Sequence, residues 1–126
     1  MARFVWLLCI VGLVCGVVAS EPAQIKGVLM DKQCSSKAEE HILPTGITGG
    51  MVVAEAHERQ CLLMPACQKS GYGVFTFDQK FLAFDEEGNR KALELIKASK
   101  KLVDLEVEVT GEVKGDTIKV ASLKPL

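Results

Sequence analysis

Apolar and polar residues alternate most regularly near the C-terminus, where residues 105–110 have the sequence Leu-Glu-Val-Glu-Val-Thr. A period of two is typical of a strand with one buried face, so this segment is predicted to be a half-buried strand. Residues 25–31 and 117–123 are rich in strand-forming residues and predict a first and a last strand. Gly27 lies inside the first strand, which indicates a bulge or a close approach of another backbone segment.

A β-hairpin is predicted from residues 74–77 and 80–84, which turn at Asp78-Gln79. All phenylalanines after residue 20 belong to this hairpin: Phe75, Phe77, Phe81 and Phe84. Because aromatic side chains bury large areas, we expect the hairpin to supply the aromatic part of the core. A platform for stacking bases is the alternative interpretation of the same cluster.

Residues 51–64 lack glycine and proline and have the spacing of a helix. Residues at intervals of four, four and three fall on one face of it: Val53, His57, Cys61 and Met64. Pro65 is expected to end this helix. The preceding residues 33–50 are polar and contain one proline and three glycines, so they are predicted to form a loop.

A second helix is predicted over residues 89–100, with Asn89 as its N-cap, after a turn at residues 85–88. The order is then strand, inserted loop and helix, hairpin, helix, hairpin. This order predicts a mainly β fold with two helices, a small five-stranded OB-like barrel with the loop and helix inserted between strands 1 and 2. Such barrels have many unrelated functions, so the fold alone predicts none.

Residues 1–20 have the layout of a secretory signal peptide. Arg3 gives a positive start, residues 4–18 are an unbroken apolar or glycine run, and small residues lead to Ser20, after which we expect cleavage. An uncleaved anchor helix is the main alternative, but the run is shorter than the roughly 20 residues that a bilayer core requires. A lipoprotein signal is a weaker alternative, because the residues before the two cysteines of the run poorly match the small-residue sequence that precedes lipidation.

Residues 21–126 are expected to form one small domain with no membrane span after cleavage. Arg3 is the only basic residue of the signal segment, so 14 of the 15 lysines and arginines remain, against 16 acidic residues. A nearly neutral chain without a basic block gives no support for nucleic-acid binding.

Three of the five cysteines follow residue 20: Cys34, Cys61 and Cys67. In an oxidising compartment they allow one disulfide with a spare thiol, a metal site or a link to a partner. Thiolates with the imidazole of His57 favour zinc, and the thioether of Met64, one helical turn beyond Cys61, would favour copper. The disulfide or metal candidates are therefore Cys34, His57, Cys61 and Cys67, with Met64 as a weaker metal ligand. Inert packing on a buried helix face is the third interpretation.

The catalytic motifs that this pattern approaches are incomplete. His57-Glu58 begins like a zinc-protease helix, but Cys61 occupies the position where that motif requires a second histidine. No Cys-x-x-Cys pair is present for a thioredoxin-like centre. Cys61 and His57, as nucleophile and base, lie on one predicted helix without a third orienting group. With no convergent catalytic set, we do not expect an enzyme.

Four segments are distinctive: residues 27–34 (Gly-Val-Leu-Met-Asp-Lys-Gln-Cys), 57–67, 70–73 (Ser-Gly-Tyr-Gly) and 109–113. With their Cys…His-x3-Cys-x5-Cys pattern, they resemble a group of uncharacterised small exported bacterial proteins with an OB-like element order. The resemblance covers most of residues 21–126. It implies export and the OB-like fold, and it implies no catalytic activity.

The sequence therefore predicts an exported binding or interaction domain, periplasmic or secreted, that is stabilised by a Cys/His cluster. Its partner would be an unknown small ligand or protein. The alternative is a periplasmic metal-binding protein that holds zinc or copper through Cys34, His57, Cys61 and Cys67. No cofactor beyond such an ion is indicated.

Overall fold

The computed structural model describes residues 21–126, and the predicted signal peptide at residues 1–20 lies outside them. The described part has five strands: β1 (Ala23–Asp31), β2 (Tyr72–Thr76), β3 (Phe81–Phe84), β4 (Glu106–Lys114) and β5 (Thr117–Pro125). The same part has five helices: α1 (Lys32–Glu40), α2 (Gly50–Ala56), α3 (Arg59–Leu62), α4 (Pro65–Ser70) and α5 (Glu86–Ala98). Helix and strand occupy about equal shares, so the expected mainly β fold with two helices is not confirmed. Among residues 21–126, no helix combines the length and the apolar character needed to cross a bilayer.

The five strands form one mixed sheet that closes into a ring in the order β1-β2-β3-β5-β4. β3 and β5 are parallel, and the other neighbours are antiparallel. β1 closes the ring, because its first half pairs with β4 and its second half with β2. A Cβ atom at Gly27, where the two pairings overlap, would collide with the carbonyl oxygen of Phe75. The predicted close backbone approach at Gly27 is therefore confirmed.

The predicted strand at residues 105–110 has the expected buried face. Leu105, Val107 and Val109 are buried, whereas the two intervening glutamates are partly exposed. The predicted hairpins are also present, since β2 pairs with β3 and β4 pairs with β5 in antiparallel register. The alternating pattern was sufficient in β4 because one face of its first half contacts the core and the other is partly exposed, whereas β2 is buried at all five positions.

Side chains of β1 alternate between two hydrophobic clusters, because successive residues of a strand point to opposite faces. Leu29 belongs to the larger cluster, which contains residues of all five strands and of α5 and so lies inside the ring. Val28 and Met30 belong to a smaller cluster with Phe75, which α1 and α2 cover from outside. β1 is therefore buried on both faces along its second half.

The inserted segment between β1 and β2 differs from the predicted loop and single helix. α1 occupies the start of the predicted loop, and it ends before Pro44 and the glycines. The predicted helix over residues 51–64 is wrong, because the chain is extended at His57 and Glu58 between α2 and α3. Pro65 begins α4 instead of ending a helix, a position that proline tolerates because the first turn has no N–H partner.

Tertiary contacts explain the break at His57. Its imidazole bonds the side chain of Asp31, and the backbone N–H of Arg59 donates to the carbonyl of Leu102 at 2.7 Å. A continuous helix would place neither group at these partners. Helix propensities differ by only about 0.7 kcal/mol between ordinary residues, so two hydrogen bonds in a partly buried site outweigh them.

α5 begins earlier than predicted. The carboxylate of Asp85 accepts a hydrogen bond from the N–H of Gly88 at 3.0 Å, so Asp85 is the N-cap and the predicted cap at Asn89 is wrong. A side chain at Gly88 would collide with Val120, so glycine lets the helix approach β5. The amide oxygen of Asn89 instead accepts the N–H of Tyr72 at 2.8 Å.

Phe75 in β2 and Phe77 in the turn that follows it provide a paired test of the core. Phe75 is 0% exposed and Phe77 is 58% exposed. We expect Phe75→Ala to lower the free energy of unfolding by about 3–5 kcal/mol, since it opens a cavity under α1 and α2. Phe77→Ala should change it by under about 1 kcal/mol. Urea denaturation checks both values, and equal losses would show that the side chains are placed incorrectly.

Candidate functional site

The carboxylate of Asp31 is fully buried at the point where β1 ends and α1 begins. Strand alternation puts it on the same face as Leu29, and its extended backbone lets the side chain cap α1. Oδ1 accepts the N–H of Cys34 at 2.9 Å, and Oδ2 lies 2.9 Å from Nε2 of His57. A buried carboxylate is costly unless it is hydrogen-bonded and paired, so both contacts stabilise it.

Two sulfur atoms lie beside this carboxylate. A carboxylate oxygen of Asp31, Sγ of Cys34 and Sγ of Cys67 all lie within 4.8 Å of one another. Cys34 is in the first turn of α1, and Cys67 is in the first turn of α4. The N–H of Lys32 donates to the carbonyl of Gly71 at 2.8 Å, which fixes the start of α1 against the end of α4. We call Asp31, Cys34, Cys67 and His57 the Asp31 cluster.

The structure brings together only some of the candidate ligands. Cys34 and Cys67 are adjacent, and His57 joins them through Asp31. Cys61 lies in α3, is partly exposed and is not within the group of three ligand atoms. Met64 is 51% exposed and precedes α4 as its N-cap residue. The break between α2 and α3 separates residues that a continuous helix would have placed on one face.

Opposing effects act on the pKa of Asp31. Burial raises this pKa, but the hydrogen bond from His57, the N–H of Cys34 and the charge of His57 together lower it below its usual value. The carboxylate is therefore ionised at neutral pH. It forms an ion pair with His57 whenever that imidazole is protonated.

The pKa values of the two thiols in the cluster are raised, in contrast to that of Asp31. Burial and the negative charge of Asp31 raise the pKa of Cys34 to about 11. Burial and the charge of Asp31 also raise the pKa of Cys67, with a further contribution from Cys61. At neutral pH both sulfur atoms are therefore protonated, and the carboxylate is the charge that they face.

Tyr72 lies beside the Asp31 cluster on the neighbouring strand β2. It pairs with Asp31 across the β1–β2 register, is buried, and donates its hydroxyl to the carbonyl of Leu62 at 2.7 Å. Burial and the charges of Asp31 and Cys67 raise the pKa of Tyr72 to about 12. The hydroxyl thus remains a donor and holds the end of α3 near the cluster.

Sequence reasoning did not identify Asp31 as part of the site. The available signal was its position, directly after an apolar strand and three residues before Cys34. That spacing is typical of an N-cap whose side chain accepts the N–H of the third helical residue. The signal was missed because residues 33–50 were interpreted as a loop, which needs no cap.

Comparisons of this chain with protein-family models, curated proteins and solved structures found no match.

The raised pKa of Cys34 predicts a loss of stability at alkaline pH. A thiol that is harder to ionise in the folded state stabilises the fold below its ordinary pKa of 9.0, and this contribution is lost as pH rises towards about 11. Between about pH 9 and pH 11, we expect the free energy of unfolding of reduced wild-type protein to fall by about 2 kcal/mol more than that of Cys34→Ser. Urea denaturation at several pH values measures the difference, and parallel pH curves for the two proteins would contradict it.

The buried carboxylate predicts a loss of stability at acid pH. Because the folded pKa of Asp31 is lowered, its contribution is present above the ordinary value of 3.8 and is lost as pH falls through the folded pKa. Asp31→Asn keeps a capping side chain but removes the charge that faces His57. At neutral pH we expect it to be less stable than wild type by about 3 kcal/mol, and this gap should narrow in acid.

Asp116→Asn is the matched control for this prediction, because Asp116 is exposed at the β4–β5 turn. Its neutralisation should change the free energy of unfolding by less than about 0.5 kcal/mol. Thermal or urea denaturation from neutral to acid pH compares the three proteins. A gap between wild type and Asp31→Asn that is the same at every pH would contradict the assigned ion pair.

Proposed function

We propose that this chain is an exported, OB-like domain that binds a zinc or copper ion at the Asp31 cluster. The single observation behind the ion is that Sγ of Cys67 lies within 4.8 Å of both a carboxylate oxygen of Asp31 and Sγ of Cys34, more than 30 residues earlier in the sequence, and that these two atoms lie within the same distance of each other. The OB-like barrel is supported by the ring order and by the parallel contact of β3 with β5. Periplasmic or secreted location is supported by the pattern of residues 1–20 and by the resemblance to exported proteins.

The donor set matches a thiophilic ion. Zinc binds thiolate sulfur at about 2.3 Å and carboxylate oxygen or imidazole nitrogen at about 2.0–2.2 Å in a tetrahedron. Neighbouring ligands in such a tetrahedron lie about 3.3–3.8 Å apart, so three atoms within 4.8 Å of one another need to approach by about 1.5 Å at most. His57 lies outside this group of three atoms, and it would serve as a fourth ligand only if Nε2 exchanged its 2.9 Å hydrogen bond with Oδ2 of Asp31 for the ion. Copper(I) would use the two sulfur atoms alone, since soft thiolates select it.

Charge also favours a cation at this position. In the protein alone, the thiols are protonated because of burial and the charge of Asp31, and the raised pKa of Cys34 shows how strongly further negative charge is resisted. A divalent ion would replace the two thiol protons and leave a net charge near that of the unloaded cluster. Binding is therefore expected to release protons and to weaken as pH falls.

A second candidate function is an interaction domain in which the cluster serves stability alone. Cys34 and Cys67 would then form a disulfide, and the partner, a small ligand or protein, would bind elsewhere. A groove of about 560 Å³ beside β1 and the β2–β3 hairpin favours this candidate. Its lining combines apolar and charged side chains, among them Ile25, Phe77, Leu82, Lys26 and Glu108.

Mass spectrometry of the protein that begins at Glu21 distinguishes the two candidates. After reduction and addition of zinc, we expect one retained ion per chain under native conditions, with free thiols under denaturing conditions. Cys34→Ser and Cys67→Ser should weaken zinc binding by at least about 10- to 100-fold, because each removes a ligand. Cys61→Ser is the matched control and should retain the ion.

Loss of the ion on Cys61→Ser but not on Cys34→Ser would place the site elsewhere. Absence of a retained ion in reduced wild-type protein would refute the metal site. A mass lower by two hydrogen atoms in the protein as isolated, with no bound ion after reduction, would support the second candidate.

A further inference from the structure

We propose that Cys34 and Cys67 form a dithiol that exchanges with small-molecule disulfides, in which Cys34 reacts first and Cys67 resolves. The further claim that this oxidation and ion binding exclude each other rests on the function proposed above. The cluster would then be a thiophilic metal site that is available only in its reduced state.

The two sulfur atoms are close enough to bond after a small movement. They lie within 4.8 Å, and a disulfide requires about 2.05 Å between them. α1 is anchored to β1 through Asp31, whereas α4 is a short helix that follows an extended residue, Met64. Rotation of the two side chains with a small adjustment of the first turn of α4 would bring the sulfur atoms together, while the hydrogen bond from Lys32 to Gly71 keeps the end of α4 against the start of α1.

The difference in exposure between the two thiols determines which of them reacts first. Cys34 is partly exposed, whereas Cys67 is only 5% exposed. An external disulfide must approach along the line of its own S–S bond, so it reaches Cys34 and not Cys67. Once Cys34 is modified, Cys67 is the nearest thiol, because Cys61 lies outside the group.

A low-molecular-weight disulfide is the oxidant in two successive thiol–disulfide exchange steps. The thiolate of Cys34 attacks one sulfur of this disulfide, which releases one small thiol that takes the proton lost by Cys34. Cys67 then attacks Sγ of Cys34 and releases the second small thiol with the proton of Cys67. Two protein S–H bonds and one small-molecule S–S bond are broken, and one protein S–S bond and two small-molecule S–H bonds are formed. The protein dithiol is oxidised and the small disulfide is reduced.

Oxidation removes the ligands that an ion requires. Thiolate, not disulfide sulfur, is the metal ligand. The oxidised cluster would retain only Asp31 and His57, which already bond each other. Conversely, a bound ion holds both thiolates and prevents either from attacking an external disulfide.

The test uses glutathione disulfide and the reduced protein that begins at Glu21, without metal, at a pH of about 9, where about 1% of Cys34 is thiolate because its pKa is raised to about 11. Peptide mapping of wild-type protein is expected to find a Cys34–Cys67 disulfide and no lasting adduct on either residue. In a Cys61→Ser background, Cys67→Ser should accumulate a mixed disulfide at Cys34. Cys34→Ser should form an adduct at Cys67 at least about 10-fold more slowly, because that thiol is buried.

Cys61→Ser alone is the control and should oxidise as wild type does. Equal rates of adduct formation at Cys67 and Cys34, or a wild-type disulfide that includes Cys61, would overturn the assignment. Peptide mapping of wild-type protein identifies which cysteines are joined without any substitution. The assignment can therefore be tested even if a variant fails to fold.

Oxidation of zinc-loaded protein tests whether ion binding and disulfide formation exclude each other. Protein loaded with zinc should form the Cys34–Cys67 disulfide at least about 10-fold more slowly than protein without zinc. If zinc binds but oxidation never joins Cys34 to Cys67, the exchange is refuted and the proposed function remains. If the disulfide forms as described but zinc never binds, the proposed function is refuted and the exchange remains.

Discussion

The burial of one carboxylate organises the part of this molecule that lies outside the ring of strands. Asp31 is 0% exposed, and its two oxygens accept the N–H of Cys34 and contact the imidazole of His57. A charge in this position must be satisfied within the protein, since water does not reach it. That requirement fixes where α1 starts and where the chain between α2 and α3 becomes extended.

The same carboxylate connects the fold to the chemistry of the site. Through its cap it holds Cys34 in the first turn of α1, and the contact of Lys32 with Gly71 places α4 and Cys67 alongside. Its charge raises the pKa of both thiols, in addition to the effect of burial. The proposed metal site and the proposed redox-active dithiol would be two states of this one arrangement.

The helices that surround the cluster depend on tertiary contacts more than on local sequence. α3 has four residues and α4 has six, which is shorter than isolated helices that are stable in water. The hydroxyl of Tyr72 holds the end of α3, and the side chain of Arg59 donates to the carbonyl of Ile96 at 2.7 Å in α5. Contacts with the ring and with α5, rather than helix propensity, therefore hold these segments beside the cluster.

Sequence by itself determined the strands, both hairpins and the close approach at Gly27, because strand periodicity and turn residues act over a few neighbouring positions. Only the tertiary structure decided the break at His57 and the approach of Cys67 to Asp31 and Cys34. Residues 51–64 lack glycine and proline, so nothing local interrupts a helix there. The interruption comes from a carboxylate 26 residues away, whose burial is visible only once the chain has folded.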